Sequence, residues 1–203
     1  MGRTHHGGGG APRALRRPPE HMWTLPNLLT LGRALSGLPI ALLALGGWWL
    51  AAFLLFVAAA ATDWLDGHLA RSRGELSDFG RFLDPIADKL MVAAAMVALV
   101  ARDAIGGWAV LAVVLILVRE LTVSGLREYL APRGITVHVL RLAKWKTTAQ
   151  LVACAVLLLA MARPGLWQLP VAEIGVAALW GAAALTLWTG ADYLRAGMRS
   201  MTR

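Results

Sequence analysis

The sequence predicts an all-α polytopic membrane protein with six transmembrane helices and a polar chamber at the cytoplasmic side. Its 203 residues are 58% hydrophobic and have a mean hydropathy of +0.59, which is too apolar for a soluble domain of this size. The hydrophobic residues come in long blocks, as they do where a chain crosses a bilayer. Three of these blocks continue directly into charged sequence, and this continuation predicts the chamber.

Six apolar blocks, separated by turns rich in glycine and proline, define the predicted spans. The blocks cover 25–45, 48–61 with a polar continuation to 73, a polar start near 77 followed by 90–101, 105–118 with a continuation towards 129, about 147–162, and about 171–193. A helix needs about 20 apolar residues to cross the hydrocarbon, whereas the second, third and fourth blocks have only about 12 to 14. Their polar halves must therefore line a cavity that is enclosed by protein or filled with water.

The first 22 residues are predicted to be a disordered basic extension. They combine a run of four glycines with prolines and arginines, and such a segment cannot bury a core. They lack the short apolar region and small-residue cleavage site of a secretory signal peptide. Residues 23–203 are expected to form one membrane domain.

Basic residues are distributed unevenly between the two sides of the predicted spans. Most lie on the side of the N-terminus, and only Arg102 and Arg163 lie on the other. Under the positive-inside rule, both termini and the chamber face the cytoplasm, in a multi-pass protein of the cell inner membrane. The net charge of +8 then reflects orientation and anionic lipid. Nucleic acid is not an expected partner, because the basic residues flank spans instead of forming a soluble patch.

Four aspartates fall on the facing sides of two predicted helices that a short link joins. Asp63 and Asp66 precede the link, and Asp84 and Asp88 follow it. Spacings of three and four residues put each pair on one helix face. Four like charges cannot all stay ionised in a low-dielectric setting without compensation. Oxygen ligands without sulfur or imidazole suit hard cations, so the pattern indicates Mg²⁺ or Mn²⁺, as one ion or a pair.

Small residues and one arginine share these two faces. Gly67, Ala70 and Arg71 accompany the first pair of aspartates, and Gly80 accompanies the second. Small side chains let a bulky group approach the backbone, and arginine can bind phosphate through two hydrogen bonds. The combination indicates a pocket for a nucleotide pyrophosphate. The alternative is a solvated hairpin in which the aspartates pair with nearby basic residues, and the shared helical phase of the whole set disfavours it.

The pattern D-x-x-D-G-x-x-A-R, eight residues, G-x-x-x-D-x-x-x-D, which runs from Asp63 to Asp88, resembles the signature of the CDP-alcohol phosphotransferases at every fixed position. The resemblance implies a six-helix membrane enzyme, usually a homodimer, with a two-metal site. It implies the metal ligands Asp63, Asp66, Asp84 and Asp88, with Asp88 also acting as the general base. It implies a CDP pocket formed by Asp66, Gly67, Ala70, Arg71 and Gly80, with Asn27 and Thr30 as further candidates.

Other segments resemble bacterial phosphatidylglycerophosphate synthases, a branch of that family. They are 25–30 with Arg33, the pair Arg119-Glu120, and 144–150, whereas Ala143 stands where a glycine is common. The resemblance implies transfer of the phosphatidyl group from CDP-diacylglycerol to glycerol 3-phosphate, with release of CMP. A phosphorylated acceptor needs fixed cations beside the aspartates. The candidates that end two spans at the chamber are Arg119, Arg127, Lys144 and Lys146.

Alternatives remain open for these cations and for the function. Arg119 interrupts an apolar helix, where an unneeded arginine costs about 2.5–3.5 kcal/mol, and its other interpretation is an ion pair with a neighbour such as Glu120. Lys144 and Lys146 could be positive-inside residues at a span entrance. The acceptor could be inositol phosphate. A cation-coupled transporter would need charges along a whole path, and the outer halves of the first five spans carry none. A membrane prenyltransferase would give no evident reason for the glycine and alanine spacing.

Overall fold

The computed structural model describes residues 24–73, 78–131, 142–164 and 170–201. Within these ranges, residues 26, 63–73, 78–81, 84, 142–144, 200 and 201 are described by their backbone alone. The described residues form six helices, which confirms the all-α prediction. They are α1 (Leu25–Leu45), α2 (Trp49–Arg73), α3 (Asp78–Ala101), α4 (Ala109–Leu130), α5 (Leu142–Ala162) and α6 (Val171–Met201).

Four segments of the described helices are long and apolar enough to cross a membrane. They are Asn27–Leu45, Ala109–Leu130, Trp145–Ala162 and Val171–Arg199, and α2 contributes the shorter apolar segment Trp49–Thr62. Large apolar side chains such as Leu38, Val97 and Leu121 are more than half exposed on the outside of the bundle. In water such a surface would be unfavourable, whereas lipid accepts it. The protein is therefore a polytopic membrane protein.

Helix boundaries differ from the sequence prediction at three helices: α5 begins at Leu142 instead of about 147, α6 ends at Met201 instead of about 193, and α4 begins late. The predicted span began at Ile105, but the helix begins at Ala109. Ile105 lies in the preceding turn and is fully buried there, and its backbone N–H donates to the carbonyl of Leu99 at 3.2 Å. Asp103 and Gly107 adopt left-handed backbone angles, with φ of 57° and 54°, and these angles are incompatible with a continuing helix. In the sequence, an apolar residue that is buried under a turn looks the same as an apolar residue in a helix.

The helices pack around one apolar core. Helix α1 packs on both α2 and α3, α6 packs on both α4 and α5, and contacts between α2 and α5 connect these groups. Gly37 allows a close approach of α1 to α3, because a Cβ there would lie 3.1 Å from the carbonyl oxygen of Leu90. Buried side chains such as Phe56, Met96 and Leu158 fill the centre. This packing leaves the polar halves of α3, α4, α5 and α6 at one end of the bundle.

Candidate active site

A cavity of about 1150 Å³ opens between α3, α4, α5 and α6. It lies at the N-terminal halves of α3 and α5 and at the C-terminal halves of α4 and α6. Its charged lining residues are Asp88, Lys89, Arg119, Glu120, Arg127, Lys146 and Asp192. Ile86, Leu90, Ile116 and Leu121 contribute apolar wall. A cavity with both linings can hold a charged group and a hydrocarbon chain at the same time.

A buried polar cluster in the cavity wall centres on Glu120. Oxygen Oε1 of Glu120 accepts from Nη1 of Arg119 at 3.1 Å, from Nζ of Lys146, and from Nε2 of Gln150 at 3.4 Å. Nη2 of Arg119 donates to Oγ1 of Thr189 at 2.9 Å. The cluster thus connects α4, α5 and α6, and the ion pair of Arg119 with Glu120, weighed in the sequence as an alternative, is present. Because Arg119 also lines the cavity, the pair does not exclude a contact with substrate.

Arg119 lies directly against the backbone of α6. A Cβ on Gly190 would be 2.7 Å from Nε of Arg119 and 2.8 Å from its Cγ, so only glycine leaves room for this side chain. Nε of Arg119 is buried and has no hydrogen-bond partner among the described residues. Buried donors without a partner are rare in proteins, and each calls for an explanation. Here the explanation is the close packing of Nε against the backbone of α6 at Gly190.

Asp88, the predicted general base, lies in the wall of the same cavity. Its Oδ1 is 3.0 Å from Nε of Arg33 on α1, and its side chain is 31% exposed while that of Arg33 is fully buried. The arginine fixes the carboxylate from behind and leaves part of it open to the cavity. On the next residue, Nζ of Lys89 donates to Oγ of Ser124 on α4. Helix α3 is thereby attached to α1 and to α4 at adjacent positions.

The other described candidates are distributed over two places. Asn27 and Thr30 are buried on α1, in the two turns that precede Arg33. Arg127 lines the cavity, and its guanidinium carbon lies 5.7 Å from the ring centre of Tyr193 on α6. This cation–π contact holds the guanidinium near the cavity mouth.

Most of the predicted aspartate and CDP site lies outside the described side chains. The backbone carries these residues on the helices where the sequence predicted them, α2 for the first pair of aspartates, α3 for the second, and α5 for the lysine. The residues concerned are Asp63, Asp66, Gly67, Ala70, Arg71, Gly80, Asp84 and Lys144. Among the described side chains, no three potential metal ligands come together. The donor set nevertheless fits a hard divalent cation, because carboxylates recur at helical spacing on α2 and α3 and Asp88 is accessible from the cavity.

Sequence reasoning did not assign a role to several residues that build this site. Arg33 and Glu120 were noted only within segments that resemble the synthases, and Glu120 also as an alternative ion-pair partner of Arg119. Gln150 and Thr186, whose side chains are joined by a 2.9 Å hydrogen bond, were not singled out for a role. The signal that could have found them is a polar residue inside a membrane helix, which is expensive unless it has a partner.

The fold and the cavity define a helical membrane protein with a charged site at one end of its bundle. The pattern of the CDP-alcohol phosphatidyltransferase family matches residues 23–188, and the chain belongs to this family.

Similar proteins carry two names. A relative from Cereibacter sphaeroides, 40% identical over 85% of this chain and 95% of its own length, is a CDP-diacylglycerol–glycerol-3-phosphate 3-phosphatidyltransferase. The Escherichia coli K12 protein of the same name is 43% identical over 86% of this chain and 94% of its own length. A relative from Oryza sativa subsp. japonica, 39% identical over 92% of this chain and 60% of its own length, is a cardiolipin synthase (CMP-forming).

Proposed function

We propose that this membrane enzyme transfers the phosphatidyl group of CDP-diacylglycerol to glycerol 3-phosphate, giving phosphatidylglycerol phosphate and CMP. The observation that carries the proposal is one cavity whose wall holds Asp88 together with Arg119, Arg127 and Lys146. A carboxylate that can take a proton and cations that can bind a phosphate are the two requirements of a phosphorylated alcohol acceptor. The names of the bacterial relatives support the same reaction.

In the proposed mechanism Asp88 is the general base. Its carboxylate removes the proton from the acceptor hydroxyl, while Arg33 keeps the carboxylate in position. The acceptor oxygen forms a bond to the phosphorus that bears the diacylglycerol, and the bond from that phosphorus to the CMP oxygen breaks. CMP leaves with the electron pair, and Arg71 stabilises its charge. The mechanism therefore needs the base and the acceptor cations on the same side of the reacting phosphorus.

Mg²⁺ or Mn²⁺, bound as two ions by Asp63, Asp66, Asp84 and Asp88, would neutralise charge on the pyrophosphate. The family is generally metal-dependent, which supports this assignment. We assign the CDP moiety to Asp66, Gly67, Ala70, Arg71 and Gly80, with Asn27 and Thr30 as additional contacts.

We assign the acceptor phosphate to Arg119, Arg127, Lys144 and Lys146. Three of these, Arg119, Arg127 and Lys146, line the cavity. The apolar wall formed by residues such as Leu90 and Leu121 would accommodate the acyl chains. Lipid and water-soluble substrates would thus meet at one end of the bundle.

The membrane arrangement follows from the distribution of basic residues. We propose six spans, a site at the cytoplasmic side of the inner membrane, and both termini in the cytoplasm. The enzyme is proposed to work as a homodimer, as is usual for the family. Residues 1–22 would form a basic extension, and the start of the family match at residue 23 supports this boundary.

The test is CMP release by purified protein from CDP-diacylglycerol with each acceptor offered separately. The acceptors are glycerol 3-phosphate, inositol phosphate and phosphatidylglycerol, and a reaction without acceptor is the blank. We expect CMP release with glycerol 3-phosphate in the presence of Mg²⁺ or Mn²⁺. Turnover with another acceptor and none with glycerol 3-phosphate would overturn the proposed acceptor but keep the family reaction.

A further inference from the structure

Glu120 is a carboxylate in the wall of a cavity that is proposed to bind a phosphate. Its side chain is only 11% exposed, and it lies beside two of the proposed acceptor cations. Taken alone, a negative charge at this place repels the phosphate and weakens binding. A buried charge is also expensive in a membrane protein unless it has a partner. Its presence therefore needs an explanation other than direct substrate binding.

The contacts of Glu120 supply that explanation. One oxygen atom, Oε1, accepts from Arg119 of its own helix and from Lys146 of α5. Gln150, one turn after Lys146, donates to the same oxygen at 3.4 Å. The other end of the Arg119 guanidinium donates to Thr189 of α6. Cations from two helices thus converge on a single carboxylate oxygen.

Arg119 and Lys146 would not stay together without this oxygen. Two positive groups that share one partner repel each other, and both have long side chains with many rotamers. With the carboxylate between them, their positions are fixed before the acceptor arrives, and a site fixed in advance loses less entropy on binding. Two cations share one anion, so the cluster keeps a net positive charge that offsets the repulsion between Glu120 and the phosphate.

We propose that Glu120 is a positioning residue for the acceptor site, which holds Arg119 and Lys146 side by side so that both bind the acceptor phosphate. The inference rests on the proposed function, since it presumes that the acceptor carries a phosphate. It predicts that Glu120 acts through Lys146 and Arg119, without touching the substrate. The substrate it affects is therefore glycerol 3-phosphate and not CDP-diacylglycerol.

Two other roles of Glu120 lead to different kinetics. If the residue only stabilised the bundle, its loss would reduce the amount of folded enzyme and leave the KM of both substrates unchanged. If it acted only through its negative charge, its loss would lower the KM for glycerol 3-phosphate. The positioning role has the opposite sign, because scattered cations bind the phosphate less well. The direction of the change in the KM for glycerol 3-phosphate therefore distinguishes the stabilising role, the charge role and the positioning role.

Asp192 provides the matched control. It lines the same cavity, but its carboxylate is half-exposed and lies 3.6 Å from the exposed Arg195 of its own helix. Asp192→Asn and Glu120→Gln each remove one negative charge from the cavity wall and keep the shape of the side chain. Only the second removes the carboxylate that the buried cations share. Both variants lose a negative charge near the phosphate, which by itself lowers the KM for glycerol 3-phosphate. Only Glu120→Gln also disturbs the positions of Arg119 and Lys146.

The experiment measures kcat and both KM values for purified Glu120→Gln, Glu120→Asp and Asp192→Asn, each normalised to folded enzyme. We expect Glu120→Gln to raise the KM for glycerol 3-phosphate at least tenfold and to change that for CDP-diacylglycerol less than twofold. Asp192→Asn should lower the KM for glycerol 3-phosphate. Glu120→Asp keeps the negative charge but moves the carboxylate away from Arg119 and Lys146, so it should also raise the KM for glycerol 3-phosphate. If Glu120→Gln does not fold, this variant tests the positioning role in its place.

A double substitution tests whether Glu120 acts through Lys146. In a Lys146→Met background, Glu120→Gln should raise the KM for glycerol 3-phosphate less than threefold, because one of the two cations is already gone. An undiminished effect in this background would overturn the inference. So would a fall in KM for Glu120→Gln that matches Asp192→Asn, or an equal rise in the KM of both substrates. If the unaltered enzyme releases no CMP with glycerol 3-phosphate, the proposed function fails instead.

Discussion

Gly190→Ala is the substitution whose effect the structure specifies best. The new Cβ would lie 2.7 Å from Nε of Arg119 and 2.8 Å from its Cγ, whereas ordinary contacts begin at 3.4 Å. Arg119 would therefore have to move by about 0.7 Å. Its Cγ is close to the main chain of α4 and cannot move far without a change of rotamer. The side chain would then leave its present hydrogen bonds with Glu120 and Thr189, which are already 3.1 and 2.9 Å long.

Two magnitudes follow from this displacement. Overpacking of a filled site costs about 1–3 kcal/mol, and the gain of up to about 1 kcal/mol from replacing a helical glycine by alanine offsets part of it. Misplacement of a binding group by about 1 Å can reduce a rate by about 100-fold. We therefore expect Gly190→Ala to lower kcat/KM for glycerol 3-phosphate by about 10- to 100-fold, with little change in the KM for CDP-diacylglycerol.

Gly181→Ala is the matched control, because it is the same substitution on the same helix. A Cβ at position 181 meets no heavy atom within 4 Å, so this variant should keep its kinetics and its melting temperature in detergent or raise the latter. The assay is CMP release at varied glycerol 3-phosphate, with thermal unfolding measured on the same samples. Kinetics of Gly190→Ala that equal those of Gly181→Ala would refute the idea that the contact of Arg119 with α6 sets the acceptor site.

Three further predictions concern the base, the metal and the core. Asp88→Asn should reduce turnover by about 100- to 10,000-fold, which is the usual contribution of a general base, and Arg33→Met should also reduce it. The double variant should be no slower than Asp88→Asn alone. Additive losses in the double variant would show that the two residues do not act as a unit. Chelation of divalent cations should abolish CMP release and added Mg²⁺ or Mn²⁺ should restore it, whereas activity that survives exhaustive chelation would exclude the metal assignment. Gln150→Leu removes the hydrogen bond to Thr186 and should lower the free energy of unfolding by about 1–3 kcal/mol, and an unchanged melting temperature would contradict this.

The helices were predictable because membrane spans leave a strong local signal. A block of apolar residues that ends in glycine or proline predicts a span without any knowledge of its neighbours, and all six helices were found in this way. The first turn of α4 was placed too early because Ile105 is apolar in a turn as it would be in a helix. Burial of that residue depends on the tertiary contacts of the turn, and a sequence window does not contain them.

The partners within the site were not predictable in the same way. Arg33 and Asp88 belong to different helices, and their contact depends on how α1 packs against α3 through Gly37. The sequence left two interpretations for Arg119, a substrate cation or an ion pair with Glu120. The structure has the ion pair at a cavity wall, so the two interpretations are compatible.

Asp88 and Lys89 connect the proposed base to the proposed acceptor site. These adjacent residues of α3 have partners on opposite sides, Arg33 on α1 and Ser124 on α4. Ser124 in turn donates to the carbonyl oxygen of Glu120, so the bond from Lys89 reaches the residue that holds the acceptor cations. A shift of α3 against α4 would therefore change the position of the base relative to the phosphate site. In the proposed site, bound cations would supply the charge that opposes the aspartates, whereas the acceptor half would need an anion of its own, and Glu120 would meet that need in the wall of the cavity.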